Sequence, residues 1–190
     1  MHLETVTTLA DGRVDQGAVE SAITDLLLAL GRDPLDPHLI DTPRRVAEAY
    51  AELLTPRPHR WTAFPNSEGY RELVLVKHIA FHSVCEHHLL PFRGVAHVGY
   101  VPGDRLMGLS KLARGLELFA RDLQVQERLT VQLADWLVET LDPVGVGVVL
   151  EAEHLCMSLR GVQAAGTLTR TSAFRGVLDQ PGPLRDQFFA

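Results

Sequence analysis

Three features of the chain predict an α+β fold. The first seventy residues carry helical patterning that ends in a proline-rich connector. Strand-like runs begin at Glu72 and return from Val144. Two helical-period segments, near 110–122 and 126–141, stand between them. The order strand, strand, helix, helix, strand, strand lays two helices over one face of an antiparallel four-stranded sheet, behind an N-terminal helical arm. Residues 1–70 are expected to form the arm and connector, and residues 71–190 the domain that holds the sheet.

Each element has a local cause. Asp15 is placed to cap a helix over about 16–30, with Val19, Ile23, Leu26, Leu27 and Leu30 on one face and Gly31 ending it. Thr42-Pro43 opens a second helix running to about Leu54, with Thr42 as cap and Pro43 at its first position. Pro56, Pro58, Pro65, Asn66 and Gly69 mark residues 55–70 as connector. Leu73–Val76 and Ile79–Phe81 read as a strand, and Gly94–Val101 as its antiparallel partner. Pro102-Gly103-Asp104 makes a turn. Ser110 is placed to cap the third helix, and Leu129, Leu133, Leu137 and Leu141 recur at helical spacing in the fourth. Val144–Glu153 is β-rich, and Leu155–Arg160 with Thr167–Phe174 would complete the sheet. Open sheet edges invite pairing with a second copy, so a homo-oligomer is expected.

Bulk properties exclude several classes. The 190 residues suit one domain with an extension. No apolar run approaches the roughly 18 residues of a membrane span. Met1–Asp15 lacks a basic region followed by an apolar core, so no secretory signal is expected and the cytoplasm is the expected location. A formal net charge of −6 argues against general affinity for nucleic acid. An anionic substrate would need locally converging basic groups. Those are almost all arginine, since Lys77 and Lys111 are the only lysines.

The chemistry concentrates in Cys85-Glu86-His87-His88 and, far along the chain, His154-Leu155-Cys156. The only two cysteines each lie within three positions of a histidine. Thiolate and imidazole are the ligands Zn²⁺ prefers, and a catalytic zinc keeps three protein ligands with a fourth position open. Cys85 and His88 have chelating spacing, and Cys156 would close a loop of roughly seventy residues, a cost that metal binding offsets. The competing reading is that both cysteines are small buried apolar residues. His154, two positions before Cys156, would share its face if both lay on a strand. His154 and His87 are candidates for proton transfer or for hydrogen bonding to the ligands. Glu86 is either such a partner or a solvated residue. The remaining histidines (His2, His38, His59, His78, His82, His97) read as surface or structural. A zinc hydrolase is the expected class; a closed four-ligand structural zinc module is the rival.

Taken together, these residues resemble GTP cyclohydrolase I. The resemblance runs through Asp41–Val46, Ser83–Phe92, Gly108–Leu112 with Arg114, and Gln124–Thr130, and closes with His154, Cys156-Met157 and Arg160-Gly161-Val162. It covers about residues 16–188. It departs from the family pattern at Gly94-Val95, where Gly-Lys is common, and at His78, where an acidic residue is common.

The resemblance implies a tunnelling fold assembled as a homodecamer, with active sites at subunit interfaces. It implies conversion of GTP and water to formate and 7,8-dihydroneopterin triphosphate, at the entry to folate or pterin synthesis. Carried over by motif, one Zn²⁺ per subunit would be held by Cys85, His88 and Cys156 and would activate water for attack at C8 of guanine. His154 would protonate N7 as the ring opens, and His87 with Ser110 would assist the sugar rearrangement. Glu127 would recognise the guanine N1–H and amine, with Gln126 as a further substrate contact. Arg45, Ser110, Lys111, Arg114 and Arg160 would grip the triphosphate, with Ser110 and Lys111 at a helix start that favours anions. Another enzyme of the same fold, acting on a pterin or deazapurine, is the remaining alternative.

Overall fold

The computed structural model describes residues 14–189, which fall into two compact units, 14–56 and 57–189. His2 and most of the segment read as lacking a secretory signal lie outside the described residues.

The first unit is a helical pair. α1 (Gln16–Ala29) is capped as its sequence predicts, Ala18 N–H donating to the Asp15 carboxylate at 3.0 Å, and Gly31 follows it with φ +72°. α2 (Thr42–Leu54) begins one residue earlier than the Thr42 cap implies, with Asp41 at the cap position and Pro43 inside the first turn. Asp41 makes no side-chain cap bond; its carboxylate is taken by Arg45 at 2.9 Å. The two helices pack on each other, and Leu26, Leu28 and Leu30 of α1 and its flank stay exposed in the single chain.

The second unit holds β1 (Ala63–Pro65), β2 (Val74–Cys85), β3 (Pro91–Val101), β4 (Arg105–Met107), α3 (Leu109–Ala120), β5 (Leu123–Gln124), α4 (Gln126–Leu141), β6 (Gly145–His154), α5 (Leu155–Ser158), β7 (Thr169–Gly176) and α6 (Pro183–Phe189). The main sheet has five strands, ordered β5-β2-β3-β6-β7, where four were expected. The extra member, β5, is two residues long and pairs parallel with the end of β2, Val84 with Leu123 and Cys85 with Gln124. Too short to show a period, it carries no strand signal in the sequence. The connector also contributes structure, because β1 pairs antiparallel with β4 and Trp61 is buried in the main core.

α3 and α4 cover one face of the sheet as expected. Leu112, Leu116, Leu129, Leu133, Leu137 and Leu141 are buried with Phe81, Phe92, Val98, Val148 and Leu150. Truncating one such leucine to alanine removes about 2–5 kcal/mol. The helices approach closely because Gly115 lies under Trp136; a Cβ there would stand 2.4 Å from the indole ring. The other face carries a smaller cluster of Val101, Val149, Phe174, Leu178 and Phe188, the last from α6.

Two departures shape the site. Ser110 does not cap α3: Gly108 holds that position and Ser110 lies in the first turn. Leu155–Arg160 does not extend the sheet, since residues 155–158 form the single turn α5. The register explains this. Phe92, second residue of β3, is already opposite His154, and the β6–β7 ladder ends at Ala152–Thr169. Beyond His154 no strand among the described residues remains to accept or donate, so the backbone satisfies itself by coiling.

Candidate active site

Cys85 is delivered by the last residue of β2 and is 5% exposed. The chain then turns through residues 86–89: Leu89 N–H returns to Cys85 O at 2.8 Å, and Leu89 takes φ +53° to complete the reversal. His87 and His88 ride on this turn, exposed, each with Nδ1 3.9 Å from the Cys85 sulfur. Cys156 arrives on α5, not on a strand, half-buried. The shared-face argument for His154 and Cys156 therefore fails, yet the coil after β6 still swings the thiol toward β2. One ligand atom each from Cys85, His88 and Cys156 lie within 4.8 Å of one another.

This trio fits a zinc ion. With Zn–S near 2.3 Å and Zn–N near 2.0–2.1 Å, ligand atoms of a filled tetrahedron stand about 3.5–3.8 Å apart, slightly closer than here. Burial pushes the Cys156 thiol pKa up, and the neighbouring Cys85 thiol pushes it further. A divalent cation held by both sulfurs would favour their thiolate forms. Two sulfurs and one imidazole would suit Zn²⁺ better than the hard cations.

The turn is tied down from α4. Glu86 N–H donates to Gln124 O at 3.1 Å, and the Glu86 carboxylate is bound by Arg128, whose Nε donates to Gln124 Oε1 at 2.9 Å. Glu86 is exposed, and its carboxylate meets Arg128 instead of Cys85, His88 or Cys156. Arg128 and Gln124 were not singled out by sequence reasoning for any role, although they flank the motif residues Gln126 and Glu127 at helix-turn spacing.

His154 closes β6. Its ring stacks on Phe92, centroids 4.6 Å apart and planes within 6°, and its Nε2 lies 2.8 Å from Gln126 Oε1. Burial lowers the imidazole pKa, against an upward pull from the Glu127 carboxylate nearby. Glu127 itself is exposed in the first turn of α4. Gln126, expected to contact substrate, is turned inward and 1% exposed. Its amide group is consumed by Leu150 O, Thr169 O, Thr171 Oγ1 and His154 Nε2.

The residues expected to grip the triphosphate belong to α2, α3 and the segment after α5. Ser110 and Arg114, one helical turn apart on α3, line a groove of about 400 Å³ together with Arg57, His82, Glu117 and Arg121. Glu117 already binds both Arg57 and Arg121. Lys111 is half-buried, and its N–H donates to Gly108 O at 2.7 Å, so that amide is not open to an anion. Arg160 is exposed beyond α5, close enough to Cys156 to lower its thiol pKa slightly. Arg45 belongs to α2 in the other unit, paired with Asp41. His82, read as surface or structural, lies in the groove with Ser110 and Arg114.

Comparison with known proteins agrees with this geometry. The family described as GTP cyclohydrolase I matches residues 19–190. GTP cyclohydrolase 1 of Bacillus subtilis (strain 168) is 51% identical over 178 residues, covering 90% of this chain and 93% of that protein. The enzyme of the same name from Thermobifida fusca (strain YX) is 51% identical over 178 residues, covering 91% and 86%. Among solved structures, the archaeosine synthase QueF-Like in the apo form superposes at a TM-score of 0.46 with 18% identity, over 55% of this chain and 94% of that one, too distant to bear on function. With half of its residues shared across nearly full length, and with the cysteines and histidines of its motif drawn together in space, this chain belongs to the GTP cyclohydrolase I family.

Proposed function

We propose that the protein is a zinc enzyme that converts GTP and water to formate and 7,8-dihydroneopterin triphosphate, feeding folate or pterin synthesis in the cytoplasm. The observation that carries this reading is the convergence of Cys85, His88 and Cys156, one ligand atom of each within 4.8 Å of the others. Two sulfurs and one imidazole leave a tetrahedral position open, which favours a catalytic over a closed structural site. Zinc, when bound, supplies a Lewis acid that brings water toward deprotonation near neutral pH.

The chain's own residues divide the remaining work. His154, flat against Phe92, is held where it can pass a proton to N7 of guanine as C8 becomes tetrahedral. Glu127 offers two carboxylate oxygens to the N1–H and the amine of guanine. Adenine lacks that donor pair and would leave the carboxylate unpaired, at a cost of about 1–3 kcal/mol. His87, exposed on the metal turn, and Ser110, in the groove, serve the later sugar rearrangement. Arg114 and Ser110 receive phosphate oxygens; Lys111, Arg160 and Arg45 complete the grip once copies assemble. The same reading makes the protein a tunnelling-fold homodecamer with sites at subunit interfaces, and the exposed leucines of α1 are consistent with burial there.

The test is direct. Purified protein given GTP should release formate and a pterin that fluoresces after oxidation. A chelator should stop both, and added zinc should restore them. Turnover undiminished by complete zinc removal would rule this reading out.

A further inference from the structure

Gln126 joins three elements, its own α4 with β6 and β7, through hydrogen bonds whose directions are fixed. Its Nε2 lies 3.2 Å from Leu150 O, 3.0 Å from Thr169 O and 3.1 Å from Thr171 Oγ1. Two of these are carbonyl oxygens, which only accept, so the NH₂ end must face them. Flipping the amide would set oxygen against oxygen in a site that is 1% exposed. Gln126 Oε1 is thereby the atom that faces His154.

The hydroxyls agree. Thr130 Oγ1 lies 2.7 Å from Gln126 O and 2.7 Å from Thr171 Oγ1. Thr130 has one hydroxyl hydrogen, and the Gln126 carbonyl requires it. Thr171 must then donate to Thr130, which leaves the Thr171 oxygen free to accept from the Gln126 amide. Each direction follows from a backbone carbonyl that cannot be reversed.

From this network we infer that Gln126 is a positioning residue that holds His154 as the Nε2–H tautomer. An amide oxygen 2.8 Å away can only accept, so Nε2 carries a hydrogen. Nδ1 has no protein partner among the described residues and is the ring nitrogen through which His154 exchanges a proton with substrate. Gln126 thus acts on the reaction through His154 and touches neither GTP nor metal. Thr171 and Thr130 hold Gln126 in turn, which ties the tautomer to the seating of β7 on α4.

This inference rests on the proposed role of His154 and is tested separately from it. In the zinc-loaded, full-length protein without GTP, ¹⁵N NMR of the His154 ring should show Nε2 protonated and Nδ1 bare. Gln126→Leu should give a mixture of tautomers and lower kcat about 10–100-fold, the range for losing a partner that orients an active-site imidazole, with KM for GTP and zinc content little changed. Thr171→Val, a milder change on a half-buried strand residue, should shift the tautomers the same way with a smaller loss of kcat, and it serves if Gln126→Leu does not fold. An Nδ1–H ring in the unaltered protein overturns the inference. So does a folded Gln126→Leu or Thr171→Val variant with unchanged tautomer and kcat. If the unaltered protein releases no formate, the functional reading falls while the tautomer measurement still stands.

Discussion

The sulfur cluster and the arginine-lined groove lie along the same strand, β2, yet they are built to different degrees. At the cluster the donors already converge, and the polar groups behind them are saturated: Gln126, Thr130 and Thr171 bond one another, and Arg128 clamps Glu86. In the groove two of the cations, Arg57 and Arg121, share one acidic partner of their own chain, Glu117. The contrast teaches where reaction and binding energy come from. Chemistry needs a small set of atoms held rigidly before substrate arrives. On the proposed reading, a triphosphate is caught by charges that can exchange one partner for another.

The sharpest way to break the comparison is at the cluster. Cys85→Ala or Cys156→Ala should reduce bound zinc, read by elemental analysis, to background and formate release with it. His154→Ala should come next, lowering kcat about 10²–10⁴-fold while zinc stays bound; loss of the metal would instead make His154 a ligand. Glu127→Ala should weaken GTP about 10–100-fold, the equivalent of about 1–3 kcal/mol, and narrow the preference for GTP over ATP in competition assays. In the groove, effects should be smaller and confined to binding. Arg114→Ala should raise KM for GTP by about tenfold, as expected for one lost charge-assisted contact, with kcat nearly unchanged; an equal fall in kcat would move Arg114 into the chemistry.

The smallest effect concerns pH. The hydrogen bond from Arg57, then the nearby Arg121 charge, hold the Glu117 carboxyl below its ordinary value of 4.5 against an opposing burial effect. A carboxyl depressed on folding stabilises the protein above its unfolded pKa, and that contribution is lost as pH falls from about 4.5 through the lower folded value. Glu117→Gln should therefore lower Tm slightly at neutral pH and flatten its fall in acid. Because Arg57 is largely exposed, salt should weaken the effect. A Tm–pH curve that matches the unaltered protein would show the pair to be inert.

Much of this was readable from local pattern. The Asp15 cap, the bounds of α4 and its buried leucines all follow from neighbours within a turn or two. The gap left between Val76 and Ile79 falls on a bulge where Lys77 and His78 stand opposite His97 alone, with His78 at φ +58°. Gln126 was not readable. An amide beside Glu127 in a motif looks like a substrate contact, and only the crossing of α4 over β6 and β7 turns it inward.

By itself the sequence determined which atoms could do chemistry here: two thiols, the histidines beside them, and a carboxylate at a helix start. Their identities are carried by the chain, and spacing of three or four residues is enough to put neighbours on one turn. The tertiary structure alone decided which of those atoms meet, and it made Cys156 arrive on a helical turn and His154 answer to Gln126. The physical reason is that strand register over β3, β6 and β7 sets where ladders end, and that is a property of partners far apart in the chain.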